Sequence, residues 1–68
     1  MSNRRNKTLQ RARQKMGLTQ VQVADKVGIS ETSYQRIEYG IQKPSLKTAL
    51  LIAKAVNSSV EALFTEIK

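Results

Sequence analysis

Two short amphipathic segments meet at a glycine, and that junction constrains the chain more than anything else in it. Residues 20–37 read QVQVADKVGISETSYQRI. Val23, Ala24 and Val27 form an apolar stripe at helical spacing on the first segment. Val21 falls off that stripe and is expected to be exposed. Thr19 with Gln22 three residues later fits a capping box, in which each side chain bonds the other residue's backbone N–H. Gly28 can take positive φ and end the helix. Ile29 can plug the core from the turn, and Ser30 can cap the next helix. On that helix, at about 100° per residue, Ser33, Tyr34 and Ile37 share one side. Glu31, Thr32, Gln35 and Arg36 share the other. One side can enter a core, and the other can offer a partner a pattern of hydrogen-bonding groups.

The flanking sequence supplies support for this pair. Residues 1–5 are polar and read as a flexible basic arm, with residues 6–68 as the folded domain. Asn6 to Lys15 reads as a first helix, with Leu9, Ala12 and Met16 as its apolar stripe and Gly17 as its left-handed end. Arg13 falls inside that stripe, where burying a charge alone is costly. Either it is paired, or it lies flat and carries its head to water. Glu38, at the edge of the buried face of the third helix, is the acid placed to pair with it. Gly40 closes the third helix and a loop containing Lys43 follows. Ser45 then caps a fourth helix whose expected apolar face is Leu46, Ala49, Leu50, Ala53 and Val56. Lys47 and Lys54 lie opposite, and Leu51 sits on the polar side, where an apolar residue calls for a cover. Asn57 can take a left-handed conformation in place of glycine. Ser58 with Glu61 fits a second capping box, and Val60, Leu63, Phe64 and Ile67 follow at helical spacing. No segment reads as a strand. Five short helices make an all-α domain.

Composition narrows the function. The chain has 68 residues, enough for one domain, and at this size only about 60% of the unfolded surface is buried. Cysteine and histidine are both absent, which removes disulfides, thiolate metal sites and the commonest general base. No paired carboxylates stand at acid–base spacing, so an enzyme, a metal centre and a cofactor are not expected. No apolar run nears the ~20 residues of a membrane span, and the basic N-terminus lacks the apolar segment of a secretory signal. A cytoplasmic protein is the expectation. The net charge is +7, from 12 Lys/Arg against 5 Asp/Glu. Arg4, Arg5, Lys7, Arg11, Arg13 and Lys15 precede any acid. Such a balance favours a polyanion, nucleic acid first and an anionic membrane surface second, although it also keeps a small protein soluble. The basic residues do not face one continuous apolar stripe, which argues against the membrane surface.

The ordered series Gln20, Ala24, Gly28, Ile29 and Ile37 resembles the helix-turn-helix of phage repressor and Cro-like regulators, the XRE-type family. Gly17-Leu18-Thr19-Gln20, Arg36-Ile37-Glu38-Tyr39-Gly40, Pro44-Ser45-Leu46 and Ile52-Ala53-Lys54-Ala55-Val56 extend the resemblance over nearly the whole chain. It implies a compact five-helix, lambda-repressor-like DNA-binding domain with the helix-turn-helix in its second and third helices. It also implies a homodimer that puts the third helix into the major groove of double-stranded DNA at an inverted repeat. Carried over by position, Glu31, Thr32 and Arg36 stand where the family reads base edges, with Gln35 nearby, and Gln20 stands where it contacts a phosphate. Arg13 and Glu38 match the family's internal ion pair, and Lys43 approaches the backbone. Ser30, Arg4 and Arg5 join the phosphate candidates.

Three departures stand out. Tyr34 fills a core position that is usually Ile or Val, so its ring is expected inside and its hydroxyl outward, toward a phosphate. Tyr39 replaces a frequent Asn. Glu31 leads the recognition helix with a carboxylate, which repels phosphate but can accept from cytosine N4; it equally suits a helix N-terminus. The apolar surplus at Leu51, Phe64 and Ile67 marks a dimer face, unless Phe64 and Ile67 only close the core. No small-molecule ligand is expected. The competing function is a protein-interaction role on the same fold, such as an antitoxin.

Overall fold

The computed structural model describes residues 5–64, and these form five helices: α1 (Lys7–Lys15), α2 (Gln20–Val27), α3 (Glu31–Glu38), α4 (Leu46–Ala55) and α5 (Val60–Leu63). No strand occurs among the described residues. Arg4 and Ile67, one a phosphate candidate and the other a dimer-face candidate, lie outside them.

Each helix starts on a side-chain cap, which satisfies backbone N–H groups that the first turn leaves without partners. Asn6, Thr19, Ser30, Ser45 and Ser59 accept from the N–H of Leu9, Gln22, Ser33, Thr48 and Ala62. The capping box of α2 is complete, with the Thr19 N–H donating to Gln22 Oε1 at 2.8 Å. The cap of α5 falls one residue later than the Ser58–Glu61 pattern suggests. Asn57 takes φ +57°, and Ser59 then accepts from Ala62 at 3.1 Å. Gly28 ends α2 at φ +86°, with its N–H bonded to the Ala24 carbonyl at 2.8 Å. That turn brings α3 back across α2.

α2 packs against both α3 and α4, α1 reaches α3 and α5, and α4 covers α5. Leu9, Val23, Ala24, Val27, Ile37, Ala49, Ile52, Ala53, Val56 and Leu63 fill the core between them, with Tyr34 among them. Phe64 belongs here too, at 7% exposure, so it closes the core and offers no face to a second subunit. Asn6 stitches three helices together. Its side-chain carbonyl caps α1, its amide donates to the Leu63 carbonyl at 2.8 Å, and its own N–H donates to the Glu38 carbonyl at 2.7 Å.

Two apolar stripes differ from their sequence patterns. Met16 is exposed, because α1 stops at Lys15 and the chain has already turned away from the core. On α4 the buried face is Ala49, Ile52, Ala53 and Val56. Leu46 and Leu50, expected inside, are 65% and 54% exposed. The apolar arc of α4 is wider than the surface its neighbours cover, and the neighbours cover the Ile52 side. Leu51 is exposed as well, beside Lys47 and Lys54.

Candidate nucleic-acid interface

The fold turns one face of α3 to the core and leaves the other to solvent. Tyr34, Ile37 and Glu38 are buried. Glu31, Thr32 and Arg36 are exposed, and Gln35 is half-buried. Ser30, at the N-cap of α3, and Lys43, in the loop after it, are exposed at either end of the helix. All of these come from a helix and its two flanking segments, and all but half-buried Gln35 are exposed.

Behind that surface lies a buried polar cluster. Arg13 on α1 meets Glu38 in a bidentate pair, Nε to Oε2 at 2.9 Å and Nη2 to Oε1 at 3.0 Å. The side chains are only 11% and 1% exposed. Arg13 Nη1 also donates to the Leu18 carbonyl at 2.9 Å. The Tyr34 hydroxyl donates to Glu38 Oε2 at 2.6 Å. These bonds decide the charge state. Burial pushes the Glu38 carboxyl up, but the bonds from Arg13 and Tyr34 outweigh it and hold the group below the ordinary carboxylate range. Burial, then the bond to Glu38, raises the Tyr34 hydroxyl above its ordinary range, so it stays protonated. The bond to Glu38 holds Arg13 charged. No buried polar side-chain atom among the described residues lacks a partner.

The cluster corrects the expectation for Tyr34. Its hydroxyl points inward to a carboxylate and the residue has no exposed surface, so it cannot meet a phosphate. The ring takes the place of a smaller apolar residue because the core provides an acceptor for its hydroxyl.

Gln20 connects this cluster to the outer face. Its Nε2 donates to Glu38 Oε1 at 3.2 Å and lies 3.5 Å from the Tyr39 hydroxyl. Its Oε1 accepts from Gln35 Nε2 at 3.2 Å. Gln35 Nε2 in turn donates to Glu31 Oε2 at 3.3 Å. Tyr39 closes this side of the helix, with the Arg5 guanidinium 5.1 Å from its ring centre, a cation–π distance. The family resemblance marks Tyr39 only as a departure; its ring and hydroxyl link the N-terminal segment to α2.

A sequence profile described as helix-turn-helix matches residues 9–63, most of the chain. The chain belongs to the XRE-type helix-turn-helix family of DNA-binding transcriptional regulators. A relative from Archaeoglobus fulgidus, named only as an uncharacterized HTH-type transcriptional regulator, is 40% identical over 76% of this chain and 74% of its own length. The cryptic phage CTXphi transcriptional repressor RstR of Vibrio cholerae is 39% identical over 75% of this chain, though the match spans only 46% of RstR. Among solved structures, the restriction-modification controller protein C.AhdI from Aeromonas hydrophila superposes with a TM-score of 0.78. It is 27% identical, and the match covers 87% of this chain and 89% of that one. A chain of the SinR/SinI protein complex superposes at 0.79 with 22% identity, over 90% of this chain and 60% of its own, and shares the fold.

Within this helix-turn-helix member, α2 and α3 are the paired helices and the Gly28–Ser30 turn joins them. Among the described residues no helix is long and apolar enough to cross a membrane, and no cluster of acids has the makings of a metal site. Arg5, just before α1, and Lys7, Gln10, Arg11 and Gln14 on α1 line an open groove that includes none of the residues singled out for base reading.

Proposed function

We propose that this helix-turn-helix regulator binds a specific double-stranded operator by laying the outer face of α3 in the major groove. The observation that carries the reading is the division of α3. A core-anchored inner face fixes the helix, and the outer face offers both acceptors and donors at Glu31, Thr32, Gln35 and Arg36. Base-edge contacts supply specificity, and phosphate contacts supply affinity and register. Arg36 suits guanine O6 and N7, and Thr32 can serve either a donor or an acceptor. Ser30, Lys43 and the basic arm with Arg4 and Arg5 take phosphates. Gln20 joins them through its second amide N–H, which only the long contact to Tyr39 occupies.

One eight-residue helix reaches few bases. A homodimer reading two half-sites about 34 Å apart on an inverted repeat supplies the rest. The uncovered leucines of α4, Leu50 and Leu51, are the dimer face in this reading, in place of Phe64. The protein then acts in the cytoplasm, without a cofactor or small-molecule ligand, as a repressor of the Cro type.

Selection of bound duplexes from a randomised pool, followed by a salt series on the winner, tests this. An enriched inverted repeat with a steep salt slope supports it. Weak, salt-sensitive binding to every sequence sinks it, and a search for a protein partner of the antitoxin kind follows.

A further inference from the structure

The hydrogen-bond chain from Glu38 to Gln35 has a direction. An ionised carboxylate only accepts. Glu38 is ionised in its pair with Arg13, so the group Gln20 turns toward it is the NH2. The Gln20 carbonyl therefore faces the other way, toward Gln35. Gln35 meets that carbonyl with its own NH2. The Glu31 carboxylate, on the far side of Gln35, again only accepts, and takes the second N–H. Two carboxylates, one buried and one exposed, thus impose the same orientation on the two amides between them. Both Gln35 donors are engaged, and its carbonyl oxygen is what remains for a partner.

We infer that Gln20 is a specificity-positioning residue, which carries the acceptor polarity of buried Glu38 to the outer face and makes Gln35 a reader of exocyclic amino groups. The inference rests on the DNA-reading role proposed above and refines it. A glutamine with a free amide pairs with adenine at N6 and N7 together, using its carbonyl and its NH2. Here the NH2 is held, so N7 goes unread and adenine loses its advantage over cytosine. The amino groups of adenine N6 and cytosine N4 remain. Guanine O6 and thymine O4 are acceptors and face the Gln35 oxygen unfavourably. Gln35 should accept adenine and cytosine about equally and disfavour guanine and thymine by about tenfold, the discrimination of one good contact.

The test is duplex selection with the unaltered protein and with Gln20→Met, which keeps length but neither donates to Glu38 nor accepts from Gln35. The expected result is one position per half-site held to adenine or cytosine by the unaltered protein. In Gln20→Met that position alone relaxes: adenine gains over cytosine about tenfold, or guanine and thymine enter. Base preferences in the rest of the half-site persist, at an overall affinity lowered by loss of the Gln20 phosphate contact. Identical preferences at every position overturn the relay while leaving specific DNA binding intact. No enrichment by the unaltered protein overturns the DNA reading and the relay with it. Should Gln20→Met unfold, the side-chain amide protons of Gln20 and Gln35 in 15N-labelled unaltered protein decide the point. Protection of both from solvent exchange supports the relay, and exchange at the free-glutamine rate for Gln35 overturns it.

Discussion

α3 and α4 break the apolar-inside rule in opposite directions. α3 puts a carboxylate in the core at 1% exposure, while α4 leaves Leu46 and Leu50 more than half exposed. The buried charge is tolerable because every lone pair has a donor: two from Arg13, one from Tyr34 and one from Gln20. The exposed leucines carry no desolvation penalty of that kind, and apolar atoms make up much of any folded surface. α3 is therefore over-determined, with its orientation fixed by polar bonds of strict geometry. α4 is held only by shape. A helix meant to present side chains at fixed positions gains from the first arrangement. A helix meant to meet another apolar surface gains from the second.

The comparison breaks most easily at Arg13. Arg13→Ala leaves Glu38 buried without its main partner, and removal of one member of such a pair costs about 3 kcal/mol. Urea unfolding should show a loss of that size, and a midpoint matching the parent would mean that the cluster does not hold α3. On α4 the two sides of the apolar arc should separate cleanly. Ile52→Ala empties a fully buried site and costs about 3 kcal/mol, whereas Leu50→Ala changes monomer stability by about 0.5 kcal/mol or less. Equal losses would show that Leu50 is covered within the monomer.

On the outer face of α3, Arg36→Ala should cost about 2 kcal/mol in operator binding and relax one base position, with unchanged thermal melting. A uniform loss across all sequences would instead place Arg36 on a phosphate. Tyr34→Phe removes a buried bond to a charged acceptor and should cost about 1.5 kcal/mol. The same variant sharpens the pH dependence. The folded Glu38 carboxyl sits below the ordinary 4.5, so its contribution is present above that value and fades as pH falls through the folded one. The folded Tyr34 hydroxyl sits above the ordinary 10.0, so its contribution is complete below 10.0 and fades as pH rises beyond. A stability profile measured by urea titration should lose its Tyr34-dependent alkaline decline in Tyr34→Phe and keep the acid one.

The parts of this molecule legible in its sequence are those governed by local chemistry. Thr19, Ser30, Ser45 and Gly28 act on backbone within four residues, so spacing alone reveals them. Arg13 was legible for a different reason: a charge inside an apolar stripe needs a partner, and Glu38 was the acid in reach of a buried face. Periodicity misplaces the α4 face because its apolar arc runs from Ile52 round to Leu50, and the wheel does not say which part the other helices cover. The Tyr34 hydroxyl escapes the sequence because periodicity orients a ring but not the polar atom at its tip. That atom follows an acceptor whose position depends on α1 packing against α3. The Gln20–Gln35 contact was hidden for the same reason. It joins α2 to α3, and its direction comes from a charge state that only the assembled core defines.

Asn6 carries a consequence for how the two ends of the described chain behave. Its amide bonds the carbonyl of Leu63, 57 positions away, while its backbone bonds the last residue of α3. The start of α1 and the end of α5 are thus clasped at a single side chain. Fraying at either end therefore breaks the same bond, although Leu63 and Phe64 also hold α5 through the core. A change that loosens α5 reaches the start of α1 through Asn6.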